Sequence, residues 1–520
     1  MGDFRKCIPV LHADLITVFL FIKTYRVFYF SGNVILHTNS DMTSLSRATG
    51  PSAAAVVSNL RQGFSSGKTK SYGWRINQLQ QLSNLLREND TAIKDALYKD
   101  LKKPAFETEL YEIDILKTEI DHAMNNLKSW MKPKSISRSL LQVFDTVYMQ
   151  KEPFGVVLVM GTWNYPLQLF LNPFVGVIAA GNCALLKPSE IATETGKLVA
   201  QLIPQYMDGD CIQVMQGGIP ETTEILQERF DYIAFTGSTK VGKIVMSAAA
   251  KFLTPVLLEL GGKSPVYVDE DSDLHIVANR IIWGKCCNAG QTCIAPDYVL
   301  CHKKSVDNLI DELKSSVREF YGEDPQKSES YGRIVSSKHF NRLVDILQKM
   351  PKEKLVLGGN TNAENNYIEP TIFKDVDLND KIMEDEIFGP LLPILSVSDS
   401  QQAIKIINSR EKPLAIYIFS QNEETINNIL ENTSAGGVLI NDTLFQAGVT
   451  NVPFGGVGYS GMGSFHGEKS FETFTHLKPV WKRQQNMEAL IQVRYPPYTE
   501  KNLSLMKHVM AASDKTCNIL

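Results

Sequence analysis

Cysteine is scarce in this chain, eight among 520 residues, and the eight follow neither disulfide nor C-x2-C zinc spacing. They read as free thiols of a reducing compartment, with no metal site among them. Charge imbalance is missing as well. Fifty-three basic against 57 acidic residues leave a net charge of −4, so no basic face is expected and nucleic acid is not an expected partner. The apolar run near the start, residues 15 to 22 (LITVFLFI), is bracketed by Asp14, Lys23 and Arg26. It falls far short of the roughly 20 residues needed to cross a bilayer. No clear small-residue cleavage site follows it, and Lys6 stands where a myristoylation signal after Gly2 wants Ser or Thr. Internal repeats and low-complexity runs are absent.

What remains is an ordinary soluble composition, 43% hydrophobic and 21% charged, long enough for two to four domains. Met42 opens a more ordinary polar segment, so residues 1–50 are expected to be a disordered extension. Apolar spacing of three and four predicts helix from Trp74 to Leu101 and again over 109–130. Then buried-strand runs alternate with helical ones: FGVVLVM (154–160), CALLKP (183–188), CIQVMQ (211–216), DYIAF (231–235) and PVLLELGG (255–262). That alternation predicts an α/β fold with a doubly wound, mostly parallel sheet over 51–257. A second α/β domain is expected over 258–435. Residues 436–480 are glycine-rich and read as irregular. Residues 481–520, with six Lys or Arg against three acids, read as a mobile basic tail.

Several short stretches carry candidate chemistry. Gly237-Ser238-Thr239-Lys240-Val241-Gly242 lies between a strand and a helix, where backbone N–H groups favour a phosphate. It nearly matches a Walker loop, but Ile244 stands after Lys243 in place of the Mg²⁺-binding hydroxyl. A plain β-α turn is the alternative. The formally perfect G-x-G-x-x-G, Gly456 to Gly461, lacks the preceding strand and following helix, and reads as a tight loop. Cys293, in CCNAGQTCIAP, is either an exposed nucleophile or an inert small hydrophobe. Glu259 interrupts an apolar strand end, as a desolvated general base or as a carboxylate reaching water. Asn164 in GTWNYP suits an oxyanion donor or a turn. Lys187 and Glu190 in LLKPSE suit ribose hydroxyls or a solvated corner, and Glu386 and Phe388 flank a Gly-Pro corner in EDEIFGP.

Taken together, GTWNYP, LLKPSE, FTGSTKVG, LELGGKSP, GQTCIAP, EIFGP and PFGGVGYSGMG closely resemble the aldehyde dehydrogenase superfamily from about residue 52 to 480. The fuller wording GQTCIAPDY and LTPVLLELGGKSP resembles its class 3 branch, which includes fatty-aldehyde dehydrogenases. The segment before Met42 has no counterpart there. The resemblance implies two doubly wound open-sheet domains, one Rossmann-like for the cofactor and one catalytic, a small bridging and oligomerisation element over 436–480, and a homodimer. It implies Cys293 as nucleophile, Asn164 and the Cys293 N–H as oxyanion donors, and Glu259 as the base for thioester hydrolysis. Lys187 and Glu190 would hold the adenine ribose. Gly237, Ser238, Thr239 and Gly242 would hold the pyrophosphate, and Glu386 with Phe388 the nicotinamide ribose and ring. The cofactor implied is NAD, with NADP tolerated in related enzymes.

The sequence ends Cys517-Asn518-Ile519-Leu520, a C-a-a-X box whose terminal Leu favours geranylgeranyl. With the basic residues before it, prenylation of Cys517 predicts attachment at the cytoplasmic face of a membrane (plasma membrane, endoplasmic reticulum or lipid droplet). The leading expectation is therefore NAD(P)-dependent oxidation of medium- to long-chain, lipid-derived aldehydes. A P-loop hydrolase or kinase, and a non-catalytic membrane-tethered binding protein, are the alternatives weighed against it.

Overall fold

A computed structural model describes residues 29–30, 33–34, 51–137, 142, 145–485 and 488–511. The expected N-terminal extension is represented only by the strand pair Tyr29–Phe30 and Asn33–Val34, and forms a unit separate from Ala53–Leu520. Met42 and Cys517 lie outside the described residues.

The second unit begins with helices Ala53–Ser65, Tyr72–Glu88 and Asp90–Leu101. Periodicity predicted one helix from Trp74 to Leu101. The structure breaks it at Asn89, whose side-chain amide donates to the Leu85 carbonyl, 2.9 Å away. Such local side-chain bonds compete with the helical ladder. The stretch from 109 also divides, into a π-helical turn, Glu109–Asp114, and the α-helix Ile115–Trp130.

Two open α/β sheets follow. In spatial order the six-stranded sheet runs Gly461–Met462, Val256–Glu259, Tyr232–Thr236, Val156–Met160, Cys183–Lys187, Ile212–Val214. All its pairings are parallel except that of Gly461–Met462 with Val256–Glu259. The seven-stranded sheet runs Leu355–Leu357, Thr371–Phe373, Leu391–Val397, Tyr298–His302, Pro265–Val268, Ala415–Phe419, Gly437–Ile440. Only Leu355–Leu357 pairs antiparallel there. Helices cover these apolar strands, which is why they read as continuous hydrophobic runs. A three-stranded antiparallel sheet joins Thr475–Lys482 to Thr146–Pro153 and to Lys134–Ser135.

The stretch expected to be irregular from 436 is more ordered than its glycines suggest. Gly437–Ile440 is an edge strand of the seven-stranded sheet, its side chains only alternately covered, so it lacks the apolar signature of its neighbours. The tail reading also needs correction: Trp481 and Lys482 complete a strand, and Glu500–Ala511 is an exposed helix built largely of good helix formers. Two apolar cores result, one around each sheet, and Tyr111 and Phe454 pack against both.

Candidate active site

Parallel register brings the predicted motifs to one edge of the six-stranded sheet. Met160 pairs with Lys187 and with Phe235, and Thr236 pairs with Glu259, so the turns that follow these residues emerge side by side. Val156–Met160 has strands on both sides that continue in opposite directions through the chain, the switch point where open α/β sheets bind ligands.

Asn164 follows that strand and is buried. Its amide oxygen accepts from the Thr162 hydroxyl at 3.0 Å, and its amide nitrogen donates to the Gln291 carbonyl at 3.0 Å. Gln291 lies two residues before Cys293, so the turn of one sheet is bonded to the cysteine loop of the other. That loop leaves helix Leu274–Cys286 through Asn288, Ala289 and Gly290, all with positive φ (51°, 53° and 75°). A Cβ on Gly290 would lie 2.4 Å from the Gly389 carbonyl, so the loop presses on the Gly-Pro corner. Cys286 and Cys287 are buried, whereas Cys293 is part-exposed and lines an apolar cavity of about 300 Å³. Burial first, then the Glu386 and Glu259 carboxylates, push the Cys293 thiol well above its usual range.

Glu259 is 3% exposed, and among the described residues neither of its carboxylate oxygens meets a donor. Burial alone holds its proton well above the usual carboxyl range. Its backbone is fixed on both sides, by the Gly237 N–H at 3.0 Å and by pairing with Gly461. Glu386 closes on the same place: a Cβ on Gly261 would fall 2.1 Å from Glu386 Oε2. Its Oε1 is also buried without a donor. Burial, then the Asp297 carboxylate, raise Glu386 to about 8. Phe388 has a φ of 49° and meets the Trp163 ring edge-on, 5.2 Å between centroids.

At the glycine turn after strand Tyr232–Thr236, Ser238 caps helix Thr239–Ala250, accepting from the Val241 N–H. A Cβ on Gly237 would meet the Phe235 ring at 2.5 Å, and one on Gly242 would meet Leu260 at 2.7 Å. Thr239 donates to the Tyr459 carbonyl at 3.0 Å, and Lys243 lies 4.1 Å over the Tyr459 ring. The G-x-G-x-x-G stretch is thus a tight loop, as expected, but one that braces this turn. Ile244, which stands where a Walker loop has its hydroxyl, is 56% exposed. At the neighbouring strand end Lys187 pairs with Glu190 at 2.8 Å. Although burial works to raise it, the Glu190 carboxyl is held below its usual range by that bond. A helix N-terminus opening directly after a glycine turn, a buried acceptor on Glu386 and a cation-carboxylate pair at the next strand end fit a dinucleotide. Among the described residues no group of His, Cys, Asp and Glu is placed to hold a metal.

Sequence reasoning found no site residue before Asn164. The structure adds Lys103, Glu107 and Glu112, all buried, beneath the cysteine loop. Glu107 accepts from the Asn288 N–H at 2.9 Å, and burial, outweighing that bond, raises its carboxyl to about 7. Tyr165 joins the Thr292 hydroxyl at 2.9 Å. The acids sit in helical segments whose charges look like a solvated face, so no sequence signal marked them.

The aldehyde dehydrogenase family profile matches residues 34–480. The chain belongs to the aldehyde dehydrogenase family. It is similar to aldehyde dehydrogenase family 3 member B1 of Bos taurus, 47% identical over 90% of this chain and 99% of that one. It is equally similar to family 3 member A2 of Rattus norvegicus, 47% identical over 87% of this chain and 93% of the relative. Among solved structures it resembles the substrate-bound state of Staphylococcus aureus AldH, at 41% identity and a TM-score of 0.86, covering 89% of this chain and all of the other. The chain is therefore a class 3 aldehyde dehydrogenase, an NAD(P)-dependent oxidoreductase with two open-sheet domains. The P-loop alternative is not favoured by these relationships.

Proposed function

We propose that this enzyme oxidises medium- to long-chain, lipid-derived aldehydes to carboxylic acids through a covalent intermediate on Cys293. The observation that carries the reading is the apolar cavity whose wall includes Cys293 together with Leu110, Ile115, Leu169, Trp283 and Phe445. A hydrocarbon chain gains by leaving water for such a wall. The Cys293 thiol gives up its proton to water as its sulfur bonds to the carbonyl carbon, whose π electrons pass to the carbonyl oxygen. One N–H of Asn164 and the Cys293 backbone N–H stabilise the resulting oxyanion. The bound nicotinamide supplies a two-electron acceptor for the hydrogen of the former aldehyde carbon. Cys293 then holds the acyl group as a thioester. Glu259 accepts a proton from water as the water oxygen attacks, the C–S bond breaks, and the acid leaves with Cys293 restored.

Lys187 and Glu190 hold the adenine ribose in this reading. Gly237, Ser238, Thr239 and Gly242 receive the pyrophosphate, and Glu386 and Phe388 the nicotinamide ribose and ring. The Glu190 charge disfavours a 2′-phosphate, which favours NAD over NADP. Residues 51–257, extended to Glu259 by the strand Val256–Glu259, would form the cofactor domain, the following residues to 435 with the added strand Gly437–Ile440 the catalytic domain, and the segment to 480 a bridge between subunits of a homodimer. The test is NADH absorbance on mixing protein, NAD⁺ and hexadecanal. Wild type should turn over and Cys293→Ala should not; full activity in Cys293→Ala would overturn the mechanism.

Membrane attachment through a prenylated Cys517 belongs to the same proposal. Its support is the sequence Cys517-Asn518-Ile519-Leu520 and the basic residues before it. Among the described residues no helix is long and apolar enough to cross a membrane. Protein isolated from cell membranes should yield a C-terminal peptide bearing a prenyl mass without residues 518–520. An unmodified peptide ending in Leu520 from that fraction would refute it.

A further inference from the structure

The turn that carries Asn164 is gripped from below by one buried ion pair. Lys103 and Glu112, their side chains wholly inaccessible, are bonded to each other. The Lys103 ammonium also donates to the Asn164 carbonyl at 3.0 Å and lies 4.0 Å over the Tyr165 ring. The other Glu112 oxygen accepts from the N–H groups of Leu167, at 3.1 Å, and Gln168, at 2.9 Å. Those two N–H groups open helix Gln168–Ala180, where the backbone has no partner of its own. The pair therefore holds both ends of the arc from Asn164 to Gln168. Asn288 adds a third hand, its amide donating to the same Asn164 carbonyl at 2.8 Å.

Burying two charges is costly, and a hydrophobic pair of similar volume often serves stability as well or better. What the ion pair supplies that such a pair cannot is direction. A charged donor on one carbonyl and a charged acceptor on two N–H groups fix the backbone of Asn164 in place. The side-chain amide of that residue is then aimed without freedom to retreat. Both partners come from the helical N-terminal segment, outside the motifs that carry the chemistry.

We propose that Lys103 and Glu112 are positioning residues for the oxyanion donor, setting the aim of the Asn164 amide over Cys293. This rests on the reading of Asn164 as that donor. The test is a mutant cycle of wild type, Asn164→Ala, the double variant Lys103→Met/Glu112→Gln, and the triple variant. The double variant leaves no stranded charge and keeps an oxygen for the Leu167 and Gln168 N–H groups. Two quantities are measured: kcat/KM for aldehyde by NADH formation, and the rate at which iodoacetamide alkylates Cys293, which needs no oxyanion donor.

Asn164→Ala should lose about 100-fold or more, the usual effect of removing one such donor. The double variant should lose about tenfold or more, since small misplacements of a reacting geometry are this expensive. Its alkylation rate should stay within about twofold of wild type, as positioning rather than nucleophilicity is lost. In the Asn164→Ala background the same double change should cost almost nothing further. An equal loss in both backgrounds would mean a merely structural pair and overturn the proposal, as would wild-type activity in the double variant. Wild-type activity in Asn164→Ala would instead sink the reading of Asn164, and the proposal with it. Should the double variant fail to fold, Lys103→Gln/Glu112→Gln, a neutral pair whose amides can still bond to each other, goes through the same cycle, and the same outcomes support or overturn the proposal.

Discussion

Glu259 and Glu107 are both carboxyls raised by burial, yet their surroundings differ. Glu107 satisfies the Asn288 N–H in the wall of the cysteine loop. Glu259 has no donor among the described residues and lies close enough to Cys293 to raise its thiol. A base must be ionised to act, and burial holds the Glu259 proton well above the usual carboxyl range. Its ionised fraction therefore still grows with pH where an ordinary carboxyl, near pKa 4.3, is already fully ionised. Thioester hydrolysis should rise with pH across that range. Glu259→Gln should give about one NADH per active site in a rapid burst and then nearly stop, as base catalysis typically contributes about 10²–10⁴-fold. Rapid-mixing absorbance measures it; undiminished steady turnover in Glu259→Gln would remove Glu259 from the reaction. This residue was legible in the sequence because a charge inside an apolar strand end needs a reason. Lys103, in the link after helix Asp90–Leu101, and Glu112 were not, because charges in such segments usually face water and only the fold reveals that these do not.

At the scale of elements, the helix Thr239–Ala250 shows what periodicity conveys and what it omits. Strand, glycine turn and helix were all readable, and so was the absence of a Walker hydroxyl. Which side of the helix faces inward was not. It buries Gly242, Val245 and Ala249, which puts Ile244 on the opposite, solvent side. Nor did sequence foretell that the loop from Gly456 to Gly461 would lie against this turn, since the contact spans more than 200 residues. The turn itself is tight. A Cβ on Gly237 would press on the Phe235 ring at 2.5 Å, so Gly237→Ala must shift either the ring or the turn. NAD⁺ affinity should weaken by about tenfold, roughly 1.4 kcal/mol, while the alkylation rate of Cys293 stays unchanged. Titration of NAD⁺ by protein fluorescence gives the first and iodoacetamide kinetics the second. Unaltered NAD⁺ binding would mean that the cofactor does not approach this turn.

Over the whole molecule, the site exists only because two sheets meet. Asn164 and Glu259 belong to the six-stranded sheet, while Cys293 and Glu386 come from the segments that build the other. Tyr111 and Phe454 pack against both cores, and both line the same cavity as Cys293. Its wall draws on residues 110–115, 165–169, 283–294 and 444–466, four stretches with no common motif, so the cavity could not be read from any one of them. Its apolar character makes a quantitative demand. Each methylene moved from water to such a wall contributes about 0.8 kcal/mol, so kcat/KM should climb by up to about fourfold per added carbon. The climb should begin at propanal and level off once the chain outgrows the cavity. Ile115→Trp, which adds bulk to this wall, should bring that levelling to shorter aldehydes and leave propanal nearly untouched. The series of NADH rates across chain lengths, in both proteins, decides it. A flat series in wild type would mean that the substrate does not lie along this wall, and an equal loss at every length in Ile115→Trp would place the damage at the reacting centre instead.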